Sequence, residues 1–451
     1  MKQKGTYLTC LKLKNVKSFK GEHVLNLCAE DGRVARWSLI LGDNGVGKTT
    51  LLQCIAHLAP FRNTTAPDGD PNPEFFIEPV GAEDENNFES FARHGTNELS
   101  MSASFVAAGL LDCPPTPRSR VFTTSVEMTR KQGKIESFEN SKFADVLKSD
   151  PLIIGYGAGR TLGRGNLDPS SAPDALTSLF ADRTELVDAE ELIQQLDYAA
   201  LRRKTRRTSR QNEVMKAMLA ALLPDIGDAK NIIIHGPSPL TQKGKIGVYA
   251  RTPYGEVPLN QLSFGYQTMT AWLADIGWRL FRHYPESSNP LLQPAIVLVD
   301  EIDLHLHPLW QRQLRDRLAK YFPAVQFIAT AHSPLMAQDY MGENLAVVRR
   351  DGDHVEILND PQTVAGWRLD QVITSDLFGF KTSFSIEVER LLEEQRTLVA
   401  KADRSADEEE RLASLEDQLM ALPMEDTEAD NKAMEIIRRA AELYAKDPKI
   451  Q

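Results

Sequence analysis

The chain has 451 residues but only four cysteines, Cys10, Cys28, Cys54 and Cys113, and none are paired at the spacing of a disulfide framework or a zinc cluster. They read as buried thiols in a reducing compartment. Long apolar runs are also missing. No stretch approaches the roughly 20 uninterrupted apolar residues needed to cross a bilayer, so no membrane partner is expected. The start, MKQKGTYLTC, lacks the apolar core of a signal peptide, so the chain is expected to stay in the cytoplasm. An excess of positive charge is absent as well. The 52 basic and 63 acidic residues leave −11, which excludes a whole-chain attraction for nucleic acid. There is no internal repeat, and glycine does not occur after Phe384.

Against these absences stand 42% hydrophobic residues in a chain long enough for two or three packed units. LTCLKLKNVKSFKGEHVLNL alternates as two strands joined at Lys20-Gly21, and WSLILG is a third strand. LLQCIAHLA reads as a helix stopping before Pro60, followed by a surface loop to about Asn97 that is rich in Pro, Asp, Asn and Gly. ELSMSASFV and RVFTTSVEMTR predict an antiparallel β layer. DAEELIQQLDYAA and NEVMKAMLAALL predict a helical subdomain, and NIIIHG and KIGVYA are strands. MTAWLADIGWRLF is apolar on more than one face and is expected to be buried. From Phe384 the chain is acidic and helical, with apolar faces Leu391, Leu392, Leu398, Val399, then Leu412, Leu415, Leu419, Leu422, then Ile436, Ile437, Ala440, Tyr444. This stiff appendage is either a hairpin on its own core or a surface for oligomerisation or a partner.

Three segments carry chemistry. GDNGVGKT, Gly42 to Thr49, matches GxxxxGK[ST] between a strand and a helix. Its glycines let successive N–H groups of Gly42, Asp43, Asn44, Gly45 and Gly47 turn inward toward phosphate oxygens, with Thr50 following on the helix. Lys48 reaches the β and γ phosphates of ATP, and the Thr49 hydroxyl ligates Mg²⁺. In AIVLVDEID a buried strand delivers Asp300 and Glu301 to its C-terminal end. Asp300 shares the Mg²⁺ with Thr49, and Glu301 orients or deprotonates the attacking water. In VQFIATAHS a second buried strand ends in His332, placed to donate to the γ-phosphate. A metal reading of the pair His305 and His307 lacks a third ligand, and Pro308 marks the start of a helix instead. QLSFGYQT, from Gln261, opens a helix whose N-terminus suits an anion. The basic run Arg202 to Arg210 either grips DNA phosphates or is a solvated face balanced by the preceding DAEELIQQLD.

GDNGVGKT, LSFGYQ, LVDEID and the histidine of TAHS occur in the order of the ABC-type ATPases, and DEIDLHLHP resembles the SMC, RecF and OLD branch. That resemblance implies an α/β head with a mixed P-loop sheet, an antiparallel β layer and a helical lobe, here followed by a C-terminal helical appendage. It divides the chain into 1–165 with the P-loop and β layer, 166–290 with the signature segment, 291–365 with the acidic strand end and His332, and 366–451. It further implies that Ser263 and Gly265 of one chain close over the γ-phosphate held by Lys48 of another, with Asp303 at the same junction. Two departures stand out. Gly157, Gly159 and Arg160 occupy the place where the branch commonly has a glutamine, and Phe264 replaces a small residue of the signature, so slow hydrolysis is expected.

A transporter subunit is disfavoured by the extended N-terminal β segment and the DLHLHP turn, and no coiled-coil arm interrupts the cassette. Asp351 and Asp353 of VVRRDGDHVEIL read as a β-hairpin rather than a nuclease site. GYGAGR, WRLDQVITSDLFGF and the acidic tail resemble the ATPase subunits of Septu-type antiphage systems. Those subunits oligomerise and act with an HNH-type nuclease. The competing readings are a RecF-like repair ATPase that binds DNA directly and a nucleotide-dependent scaffold.

Overall fold

Alternation decides the first layer. In β1 (Gly5–Val16) the buried Leu11 and Leu13 flank the exposed Lys12, so one face of the strand is apolar. A computed structural model describes residues 4–29, 31–62, 75–77, 90–109, 111, 120–131, 134–140, 147, 151–163, 174–203, 205–223, 226–236, 247–338, 344–359, 364, 366–375, 377–378, 380, 382–401 and 403–420. Most of the expected loop between Pro60 and Asn97, Cys113 and the third apolar face of the tail lie outside the described residues. Within that loop span, β4 (Pro60–Arg62) pairs antiparallel with β5 (Phe75–Ile77).

β1 joins β2 (Phe19–Asn26), β6 (Glu98–Gly109), β7 (Arg120–Lys131) and β8 (Lys134–Asn140) in an antiparallel sheet of order β2-β1-β6-β7-β8. The β1–β2 turn is at Lys17-Ser18, where Val16 pairs with Phe19, and not at Lys20-Gly21 as the sequence reading placed it. A bulge at Asn15 (φ 55°) explains the shift: its Oδ1 accepts the Gly21 N–H (3.0 Å), which holds Gly21 inside β2.

The second sheet runs β18 (His354–Asn359), β17 (Asn344–Asp351), β3 (Trp37–Gly42), β16 (Val325–Ala331), β15 (Ala295–Val299) and β9 (Ile153–Tyr156). All neighbours are parallel except β17 and β18, which form the expected hairpin. Both faces are covered, so the central strands are apolar throughout. Trp37, Leu39, Leu41, Val297, Val299, Phe327 and Ala329 face one core, and Ile40, Ile296, Leu298 and Ile328 face the other.

The second of these cores lies between the two sheets and includes Leu51, Leu52 and Ile55 of α1 (Lys48–His57). The sheets are stitched where the buried Gln326 side chain donates to Leu8 O and accepts from Leu8 N, both at 2.8 Å. The first core is closed by α2 (Ala189–Arg203), α3 (Arg206–Leu222) and α4 (Phe264–His283), with α5 (Pro308–Tyr321) beside them. A three-stranded sheet, β12 (Ile232–His235), β13 (Gly247–Thr252) and β14 (Gly255–Pro258), lies against this helical lobe. As its all-round apolarity requires, α4 is buried from Thr268 to Trp278.

The compact unit extends to Phe378, past the boundary read at 365, because α7 (Leu369–Ile373) packs on α6 (Pro334–Gln338). The second unit begins at Gly379 and contains a helical hairpin, α8 (Ile386–Val399) and α9 (Ala406–Met420). Ser385 caps α8, and Arg411 spans the hairpin with two bonds of 2.8 Å to the Glu394 carboxylate.

Candidate nucleotide-binding site

β3 ends at Gly42 in the middle of the parallel sheet, and β15 and β16 end beside it, so this edge gathers the three segments singled out in the sequence. The loop must be glycine where it bends. Gly47 caps α1 at φ 95°, and a Cβ there would stand 2.8 Å from Ser18 Oγ. A Cβ on Gly42 (φ 150°) would sit 2.2 Å from Val348 O. Asp43, Asn44 and Gly45 are exposed at the crest, above the unpaired N–H groups of the first turn of α1. Thr50 is buried behind the loop. The ammonium of buried Lys48 donates to Gly42 O (2.7 Å) and Asp43 O (2.8 Å) and lies 3.5 Å from His332 Nδ1. Burial pushes its pKa down, and the carboxylates of Asp300, Glu301, Asp43 and Asp303 offset part of that.

At the end of β15, buried Asp300 is held through both oxygens. Oδ2 accepts the Thr49 hydroxyl (2.7 Å) and Oδ1 accepts the Thr330 hydroxyl (2.6 Å). The Thr330 oxygen in turn accepts the Glu301 N–H (2.7 Å). Glu301 has φ 46°, a left-handed conformation uncommon outside glycine. Its Oε1 is 3.9 Å from His332 Nε2, so Lys48, His332 and Glu301 form one row. Asp303 Oδ2 accepts the N–H groups of His332 (3.0 Å) and Ser333 (2.7 Å) and so shapes the turn that carries His332. A hydroxyl and a carboxylate facing each other beside a lysine are the hard oxygen donors that a magnesium ion takes. Thr49 and Asp300 could hold it.

Two contacts around these carboxylates were not read from the sequence. One is Thr330, although a lone hydroxyl in an apolar strand could have flagged it. The other is Arg160, at the start of β10 (Arg160–Thr161) and only 3% exposed. Its Nη1 donates to Gly157 O (2.8 Å) and Asp300 O (2.7 Å), and its Nη2 donates to Glu301 O (3.0 Å). Nε has no hydrogen-bond partner. Burial pulls the guanidinium pKa down to about 10 despite the pull of Asp300 and Glu301 in the other direction.

The signature segment lies elsewhere on the chain. Ser263 is the exposed N-cap of α4, and a Cβ on Gly265 would meet His305 O at 2.5 Å. The ring of exposed Phe264 stands edge-on to that of His305 at 4.7 Å. His307 caps α5, its Nδ1 accepting the Leu309 N–H (3.3 Å), so the two histidines have separate packing and capping roles. The basic run does not sit on one helix. It straddles the break between α2 and α3, where Thr205 caps α3; Lys204 lies outside the described residues. Arg207 pairs with Glu286 (2.6 Å), Arg210 with Glu213 (3.5 Å), and the Arg202 guanidinium lies 5.4 Å from the Tyr198 ring centroid.

A family described as "AAA domain" matches residues 10–216, and one described as "AAA domain, putative AbiEii toxin, Type IV TA system" matches residues 178–337. The Septu protein PtuA of Bacillus mycoides is 24% identical across 92% of this chain and 51% of its own length. A second Septu protein PtuA, from Bacillus thuringiensis, is 27% identical over 33% of this chain and 39% of its own length. The chain is also similar to the Retron Ec83 probable ATPase of Escherichia coli, at 47% identity over 20% of this chain and 16% of that protein. An SMC head bound to the C-winged helix domain of ScpA covers 79% of this chain and 98% of its own, with a TM-score of 0.44 at 15% identity. The chain thus spans about half the length of the Bacillus mycoides PtuA relative, and less of the retron ATPase. Among the described residues, no helix is long and apolar enough to cross a membrane.

Proposed function

We propose that this chain binds and slowly hydrolyses ATP as the nucleotide-responsive subunit of an antiphage defence complex, controlling a partner nuclease of the HNH type. The observation that carries the ATPase reading is the 2.7 Å bond between Thr49 and Asp300, which joins the phosphate loop to the acidic strand end across 251 residues. In this reading the backbone N–H groups of Gly42, Asp43, Asn44, Gly45 and Gly47 surround the phosphates, with Thr50 behind them. The Lys48 ammonium leaves its carbonyl partners for the β and γ oxygens. Thr49 and Asp300 would hold a Mg²⁺ ion, which would neutralise charge on the phosphates. Glu301 orients the attacking water and takes its proton, and His332, directed by Asp303, donates to the γ-phosphate.

Ser263 and Gly265 have no place in their own chain's loop, which supports a site completed by the signature segment of a second copy, with ATP between the heads. The defence role rests on the likeness to Septu PtuA and the retron ATPase. Direct clamping of DNA by Arg202 to Arg210, as a RecF-like ATPase would require, is weakened by the pairing of Arg207 and Arg210 with acids. Purified protein should hydrolyse ATP only with Mg²⁺, and Lys48→Ala and Glu301→Gln should each lower the rate by about 100-fold or more. The same substitutions should abolish protection of cells from phage. Unchanged protection would refute the defence reading, and unchanged hydrolysis the site assignment.

A further inference from the structure

Arg160 is a cation in the protein interior, and among the described residues no carboxylate is hydrogen-bonded to it. Its donors are spent on main-chain carbonyls, and its Nε is left without a partner. A buried charge held this way is costly, and an apolar side chain would fill the space without that cost. What the charge supplies is local. It grips the carbonyls of Asp300 and Glu301, the residues whose carboxylates face the phosphate loop.

Glu301 needs that grip. Its φ of 46° persists only if the surroundings hold it, and its main chain is held at both ends, by Thr330 at the N–H and by Arg160 at the carbonyl. Arg160 is itself fixed from behind. Its strand β10 pairs parallel with β11 (Thr184–Glu185), and Gly159 packs against the opposite main chain so closely that a Cβ would fall 1.8 Å from Asp182 O. The planar guanidinium reaches three carbonyls at once, which a lysine ammonium on a flexible stem cannot reproduce.

We infer that Arg160 is a positioning residue for ATP hydrolysis, locking the main chain of Glu301 so that its carboxylate is presented to the attacking water while leaving nucleotide affinity to the phosphate loop. The inference rests on the ATPase reading above. It is tested in the full chain by Arg160→Lys and Arg160→Met, each alone and combined with Glu301→Gln, measuring single-turnover hydrolysis, the Kd of a fluorescent ATP analogue and the melting temperature. Arg160→Lys should lower the rate by roughly 10- to 100-fold, as expected for a displaced catalytic group, with Kd within about twofold. In the Glu301→Gln background it should cost nothing further, because the residue it positions is already disabled. A full rate in Arg160→Lys, a Kd that weakens in step with the rate, or an equal additional loss in the double variant would overturn it. If Arg160→Met fails to fold, Arg160→Lys decides alone, its Kd reporting an intact site. If Glu301→Gln by itself leaves hydrolysis unchanged, the site reading has failed, and the inference falls with it for a reason that Arg160 did not cause.

Discussion

His57 closes α1 in an apolar place, edge-on to Phe91 at 4.4 Å and Phe180 at 5.0 Å, with no hydrogen bond to Nε2. Burial, and then nearby Lys17, pushes its pKa down to about 4 from the usual 6.5. Between those values the unfolded chain binds a proton that the folded chain refuses, so stability falls as the pH drops from 6.5 toward 4. Complete loss of this contribution is worth on the order of 3 kcal/mol at 1.36 kcal/mol per unit. Urea unfolding at pH 7, 5.5 and 4.5 checks it, with His57→Leu expected to flatten the decline relative to the native sequence. Equal slopes would mean that the acid sensitivity belongs to carboxylates elsewhere. The imidazole lies at the far end of α1 from Lys48, which opens that helix, so the measurement concerns the frame of the site rather than its chemistry.

Among elements, the contact between β9 and α4 carries a buried polar cluster. Asp275, fully buried, accepts the Tyr156 hydroxyl and the Arg279 Nε, each at 2.6 Å, and the Val187 N–H at 3.4 Å. Burial raises the Tyr156 pKa well above its usual value, with the Asp275 charge adding to it. For Arg279, burial works downward, but Asp275 and Tyr156 outweigh it. Asp275→Ala removes the acceptor shared by the Tyr156 hydroxyl and the Arg279 guanidinium at the centre of this cluster, so it should cost about 3 kcal/mol in chemical denaturation, while Asp275→Asn, which keeps acceptor capacity, should cost less. The same three side chains tie the helix that starts at Ser263 to the strand that precedes Arg160. Much of this layer was legible in the sequence. The apolar runs of β3, β15 and β16 and the glycine loop are local patterns, and a local pattern announces itself wherever the chain goes. The bulge at Asn15 that moves the first turn, the Asp275 cluster and the grip of Arg160 on residues 140 and 141 positions away were not legible, because nothing periodic records which distant backbone a side chain will meet. Gly157 and Gly159 carried a further signal that the sequence reading did not use. Their spacing leaves one face of an extended segment bare, and that face lies on the main chain at Ser178 and Asp182.

At the scale of the whole molecule, the question is whether one head is a complete catalyst. Lys48, Thr49, Asp300, Glu301 and His332 converge at one edge of the sheet, whereas Ser263 and Gly265 lie beside His305 at the start of α4. If the second group serves a neighbour's nucleotide, two different defects can complement each other. Lys48→Ala destroys the loop half of a head, and Ser263→Arg destroys its signature half. In a mixed pair, the Lys48 of the Ser263→Arg chain faces the intact Ser263 of the Lys48→Ala chain, which rebuilds one sound site. The other site carries both defects. With random pairing, half the pairs are mixed and each has one working site of two, so mixing two inactive proteins should restore about a quarter of native hydrolysis. The recovered rate should rise steeply with total protein, since only associated heads contribute. Mixtures that stay inactive at concentrations where the native protein hydrolyses ATP would sink the shared-site arrangement and leave each head acting alone. Recovery near a quarter would mean that nucleotide occupancy and association are one event, which is the property a subunit needs if ATP is to hold or release a partner.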